Sequence, residues 1–204
     1  MMAIASSRTA QPVTDNPRGG AMGTWGVWLG IIVHLMFTSG LATAALYLQT
    51  NQPAWPPEGI EVPGRAWALA SMALAGAGAA AATWALRRMR AGERRPAALG
   101  VAWGGAAFTA STVALVSDLR VVGFSWDEHA YTSVYWALTG FSIMYLALGV
   151  LMFAALLVQM VTGLVDEQRH LEMSITSIYL WFAFATSLLL LALVHYLPAV
   201  GGSG

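Results

Sequence analysis

The 204-residue chain contains no cysteine and no lysine. The absence of cysteine excludes disulfides, thiolate metal sites, cysteine nucleophiles and cysteine-ligated iron-sulfur clusters. All ten basic residues are arginine, balanced by ten acidic residues, so the formal net charge is zero. Charge is scarce in total: 10% of residues are charged and 57% are hydrophobic, against roughly 25% charged in an ordinary soluble domain. Such a composition cannot cover a water-soluble fold, and the class it indicates is an integral membrane protein. Also missing are a Gly-rich phosphate loop with its lysine, a nucleophile elbow and a metalloprotease His-Glu pair. The common catalytic constellations are therefore absent, and the chain does not read as an enzyme on its own.

Five apolar stretches are present, at about 25–48, 66–88, 97–118, 130–163 and 173–197. Each is long enough to cross a hydrocarbon core of about 30 Å as a helix. Strand alternation is absent, and runs such as Ala66 to Ala82 and Ser187 to Val194 are apolar on all faces, as buried or lipid-surrounded helices are. The expected fold is an all-α bundle of five transmembrane helices over residues 25–198. Residues 1–24 are expected as a disordered cytoplasmic tail, and 199–204 as a short C-terminal tail. A cleaved signal peptide would need its apolar core close behind Arg8 and Arg18, whereas the apolar run begins at Trp25. The fourth stretch exceeds one crossing, so it must tilt, extend past the bilayer or contain a break.

Orientation follows from the arginines. The segment 87–95 holds five of them, and Pro96 suits the first turn of the next helix. Cytoplasmic loops collect positive charge. With that segment inside, Arg8, Arg18, the five loop arginines and Arg169 are inside, against Arg65 and Arg120 outside. The N-terminus is then cytoplasmic and the C-terminus outside. Trp25, Trp28, Trp55, Trp67 and Trp126 lie near predicted interfaces and read as anchors. Gly26-x-x-x-Gly30, Gly100-x-x-x-Gly104, and Gly76 with Gly78 are packing signals that let backbones approach.

Candidate chemistry is thin. A haem subunit would need paired histidines at helical depth. Here His129 and His170 fall in connections, His195 lies near the outer end of helix five, and only His34 is near mid-span. His34 reads either as part of a proton path or as a neutral imidazole hydrogen-bonded between helices, with Thr38, Ser39 and Thr43 as ordinary partners. Asp118 beside Arg120 is either a functional carboxylate or a helix end with solvated charges. Asp127, Glu128 and His129 suit the positive end of helix four, and the stretch from Asp166 to Glu172 reads as a charged turn.

The block Ala130-Tyr131-Thr132-Ser133-Val134-Tyr135-Trp136-Ala137-Leu138-Thr139-Gly140-Phe141 resembles subunit III of the haem-copper cytochrome c and quinol oxidases. That family has an aromatic and Ser-rich stretch followed by Thr-Gly-Phe-His. Gly26-Val27-Trp28-Leu29, Met36-Phe37 and Trp55-Pro56-Pro57-Glu58-Gly59 resemble its first core helix and Trp-Pro-Pro loop. Tyr179-Leu180-Trp181-Phe182 is similar to its Tyr-Trp-His-Phe motif, and Asp118 falls near a family glutamate that closes the preceding helix. Departures accompany the matches. His34 stands in place of a family glutamate, Ser142 and Tyr145 in place of histidines, and Trp181 and Phe184 in place of the His and Asp of the helix-five motif.

The resemblance covers about residues 25–198 and implies the short form that lacks two leading helices. It further implies a non-catalytic, cofactor-free subunit that packs on subunit I and meets subunit II. Such a subunit supports the stability, lipid environment and proton uptake of its partner during oxygen reduction. Haem and copper are then expected in the partners, membrane phospholipid as a ligand, and no nucleic acid. The location implied is the inner (cytoplasmic) membrane. His34, Asp118, Tyr131, Ser133, Thr139, Gly140 and Trp181 are the positions to which lipid, packing or proton-support roles carry over. Two alternatives stand beside it: an accessory protein of a nitric oxide reductase, and a stand-alone proton or small-solute transporter with His34 and Asp118 on its path.

Overall fold

The computed structural model describes residues 17–61, 63–164 and 171–200, with side chains for 25–61, 63–164 and 171–195. Five helices follow one another: α1 Pro17–Thr50, α2 Ala66–Arg90, α3 Arg94–Val121, α4 Ala130–Thr162 and α5 Leu171–Val200. Among the described residues there is no strand. Each helix contains a stretch long and apolar enough to cross a membrane, the last being Leu171–His195. The fourth stretch has no break: α4 is one continuous helix of 33 residues, about 50 Å long at 1.5 Å per residue, so it reaches well past a core of about 30 Å.

The helix ends follow local chemistry. Pro17, whose missing N–H costs nothing at a first helical position, opens α1. Residues 17–24, expected in the tail, are therefore helical. The proline-rich segment after Thr50 stops α1 because successive prolines remove backbone donors. Gly92, at φ +79°, turns the chain between α2 and α3. At the start of α4, Thr132 Oγ1 accepts from the His129 N–H at 3.0 Å and satisfies a donor that the helix leaves open. Gly163, at φ +76°, ends α4, and the Leu164 N–H closes back on the Gln159 carbonyl at 2.9 Å. Arg94 Nη2 donates to the Met160 carbonyl at 2.5 Å, placing a cation at the negative end of α4.

Helices α2, α3, α4 and α5 form a closed ring, each packed on the next and α5 back on α2, while α1 lies outside against α5 and α4. The connections 51–65 and 122–129 share one end of the bundle with His195, here termed the proline end. The α2–α3 turn and Gly163 share the arginine end.

Small residues set the closest approach in the ring. A Cβ on Gly78 would lie 3.1 Å from the Gly104 carbonyl, and one on Gly104 would lie 3.2 Å from that of Gly78, so α2 and α3 meet almost backbone to backbone. Phe108 and Phe153 fill the centre, ring centroids 5.6 Å apart, with Phe108 seated over Gly149. A Ser71–Ser111 hydrogen bond of 2.8 Å ties α2 to α3 near the proline end.

Helix α1 is held differently. Among its described side chains only Ile31, Thr38 and Ala45 are buried, and their seven-residue spacing makes one narrow seam along the helix. Trp25, Leu29, Met36 and Phe37 are exposed. Gly26 and Gly30, expected as a packing pair, have no atom within 4 Å of an added Cβ. They face away from the bundle.

Candidate functional site

Tyr131, Thr132, Tyr135, Thr139, Ser142 and Tyr145 are all buried along α4. Steps of three and four residues place them on one helix face. The ring is thus lined by hydroxyls on α4, and two polar clusters form on it. Ten residues separate their centres, Tyr135 and Tyr145, a distance of about 15 Å along the helix.

The first cluster lies at the proline end. Asp118, near the end of α3, is 2% exposed. It is not a solvated helix end: Tyr135 donates its hydroxyl to Asp118 Oδ2 at 2.5 Å, and Arg120 makes no ion pair with it. The Tyr135 ring meets the His195 ring edge to face at 5.8 Å. His195 is 1% exposed, and neither ring nitrogen has a hydrogen-bond partner. The Pro63 backbone, Asp118 and Arg65 are its electrostatic neighbours, Pro63 lying outside ordinary hydrogen-bond geometry. Phe124 packs edge-on against both Tyr135 and Tyr131, at 5.4 and 6.1 Å. Tyr131 also meets Trp55 at 5.2 Å, and its buried hydroxyl has no partner.

Asp118 lines a cavity of about 550 Å³. Its walls come from the segment before α2, with Glu61, Gly64 and Trp67, and from the α3–α4 connection, with Gly123, Phe124 and Glu128. Pro63 and Gly64 keep the first wall short of side-chain bulk, whereas the second carries the Phe124 ring. Glu128 stiffens the second wall by accepting the Ser125 N–H at 2.5 Å.

The second cluster surrounds His34. Its Nδ1 lies 2.7 Å from the Gly30 carbonyl on its own helix. Its ring meets Tyr145 at 5.2 Å, and Tyr179 and Phe182 at 6.3 Å each, all edge to face. Thr38 Oγ1 and the Tyr145 hydroxyl are 3.0 Å apart, and Tyr179 donates to the Tyr145 carbonyl at 3.2 Å. His34 is therefore seated against α4 and α5, but its ring bonds the Gly30 carbonyl of its own helix and not the hydroxyls expected to partner it: Thr38 donates to the His34 backbone carbonyl at 2.9 Å and Ser39 to the Leu35 carbonyl at 2.9 Å.

The remaining expected positions do not join either cluster. Ser133 donates to the Trp126 carbonyl at 2.7 Å and pins the α3–α4 connection. Thr139 is buried between the clusters, its hydroxyl unpartnered. Gly140 has nothing within 4 Å of an added Cβ. Trp181 faces α2, its Nε1 donating to Thr83 Oγ1 at 2.9 Å. His170 and the acidic residues 166 and 167 lie outside the described residues.

Tyr135, His195, Tyr145, Tyr179 and Phe182 were not expected as site residues. The hydroxyl stripe on α4 was the available signal for the tyrosines; His195 had none, because only tertiary packing buries it. Among the described residues, no group of three or more His, Asp and Glu side chains is placed to hold a metal ion.

These features define a multi-pass helical membrane protein with two buried polar clusters. Comparison with protein-family models and with curated proteins returned no match.

Proposed function

We propose that this chain is a non-catalytic membrane subunit of the haem-copper oxidase subunit III type, seated beside a larger haem-bearing partner in the cytoplasmic membrane. One observation supports the reading above others. Two positions that depart from the family pattern, His34 on α1 and Tyr145 on α4, meet the segment of α5 that carries the resemblance, at Tyr179 and Phe182, with ring centroids 5.2 to 6.3 Å from His34. Where the family has a glutamate and a histidine, this chain has His34 and Tyr145. The polar positions coincide while the chemistry has shifted toward hydrogen-bonded packing.

In this reading the arginine end faces the cytoplasm. The outward face of α1 meets the partner, where Ser39, Gly40, Thr43 and Ala44 form a shallow furrow that allows close helix approach. Haem and copper reside in the partner, and the subunit's contribution to oxygen reduction is indirect.

The test is purification in mild detergent through a tag on this chain, with mass spectrometry of co-purifying subunits and a reduced-minus-oxidised optical spectrum. Recovery of a many-helix haem subunit with copper supports the proposal. A colourless protein without partners overturns it, and a haem subunit with non-haem iron in place of copper moves the assignment to the nitric oxide reductase branch.

A further inference from the structure

We propose that the cavity at the proline end, walled by Glu61, Asp118 and Glu128, binds a linear di- or polyamine, a small organic molecule whose ammonium groups are spaced by methylenes.

Charge selects a cation. Three of the residues lining the cavity are carboxylates and none is basic, so its interior gathers positive charge, the more strongly because low-dielectric walls focus the field. Arg65 and Arg120 neighbour the walls in sequence without lining the cavity, and both are exposed, where solvent and salt screen them.

Asp118 is the anchor. Its side chain is 2% exposed and still lines the cavity. A neutral donor, the Tyr135 hydroxyl, bonds Oδ2, and the other oxygen has no described hydrogen-bond partner. Water in the cavity serves that oxygen when no ligand is bound. An ammonium N–H replaces the water with a charge-assisted hydrogen bond, roughly twice as strong as a neutral one.

The placing of the carboxylates excludes a compact ion. Three of them share this cavity, yet among the described residues no three His, Asp or Glu side chains converge well enough to hold a metal. They lie instead at two depths: Asp118 is buried, whereas Glu61 and Glu128 are exposed at the rim. Glu128 keeps one oxygen on the Ser125 N–H and has the other to offer. A single charge serves one depth only. A chain of ammonium groups serves both, with its methylenes against Ile60 and Val122 and the Trp67 ring available to a cation at the wall. The volume of about 550 Å³ falls within the roughly 300–1,000 Å³ of small-molecule sites.

The test is equilibrium binding of radiolabelled spermidine to the full chain in nanodiscs of zwitterionic lipid, with magnesium and tetramethylammonium as competitors. Saturable binding is expected. Asp118→Asn should weaken it about tenfold, through loss of a charge-assisted hydrogen bond in a shielded position. Glu61→Gln and Glu128→Gln should each weaken it about two- to fivefold, as exposed charges do. Glu93→Gln, at the arginine end, should leave it unchanged. Magnesium and tetramethylammonium should displace spermidine only at far higher concentration.

Absence of saturable binding overturns the site, and the cavity is then a water-filled vestibule. Binding that Asp118→Asn leaves unchanged overturns the anchor. Displacement by either competitor at concentrations equal to spermidine overturns the fit at two depths. Should Asp118→Asn fail to fold, the Glu61→Gln, Glu128→Gln double variant decides, because both side chains are exposed and glutamine keeps an acceptor for Ser125: spermidine bound as tightly as by the parent chain overturns the proposal.

Discussion

The Tyr145 hydroxyl of α4 lies 3.0 Å from Thr38 Oγ1 of α1. Thr38 is the middle residue of the seam that seats α1, and its hydroxyl also bonds the His34 carbonyl one turn back at 2.9 Å. Removing the tyrosine hydroxyl therefore leaves Thr38 satisfied. Tyr145→Phe is expected to weaken α1 docking by about 0.6 kcal/mol, the usual worth of an interhelical hydrogen bond in a membrane. Thermal unfolding in detergent should show only a small shift, whereas cross-linking between α1 and α4 should fall clearly.

The α2–α3 contact is far less tolerant. A Cβ on Gly78 would sit 2.5 Å from the Phe108 ring and 3.1 Å from a backbone carbonyl, and the close approach leaves neither helix room to retreat. Gly78→Ala is expected to destabilise the bundle by about 1–3 kcal/mol. Gly140→Ala, where nothing lies within 4 Å, should stabilise by about 0.5–1 kcal/mol by restricting the unfolded backbone. Unfolding in a denaturing-detergent series compares the two directly.

The Arg88–Glu93 pair, 3.0 Å apart with side chains 44% and 43% exposed, should matter little. Exposed pairs contribute about 0–1 kcal/mol, and Arg88 also lies over the Trp84 ring at 5.2 Å, a contact that Glu93→Gln leaves intact. That variant should unfold within experimental error of the parent, at low and at high salt.

Because the chain has no cysteine, single introduced cysteines report topology without background. With the arginine end cytoplasmic, Ser125→Cys should react with a membrane-impermeant maleimide added to intact cells. Ala91→Cys should react only after the membrane is opened. The reverse pattern would invert the orientation read from the arginines.

The five spans were legible in the sequence because a bilayer imposes length and apolarity on each helix separately. Helix boundaries at Ala66 and Ala130 were legible for the same reason, with proline, glycine and charge marking the connections. What stayed hidden was azimuth. With apolar residues on every face, nothing in α1 told which side would meet the bundle, so Gly26 and Gly30 read as packing residues although they face outward. Asp118 was legible as a candidate, but its burial depends on Tyr135, seventeen residues later, and on loops folded over it. His195 became notable only once α5 was packed against Tyr135.

Helix α1 packs on α4 and α5, which leave the ribosome after α2 and α3. The ring of α2 to α5 closes on itself without it. Of these five helices α1 is made before the ring yet seated after it: its seam of Ile31, Thr38 and Ala45 stays turned to lipid until α5 is inserted.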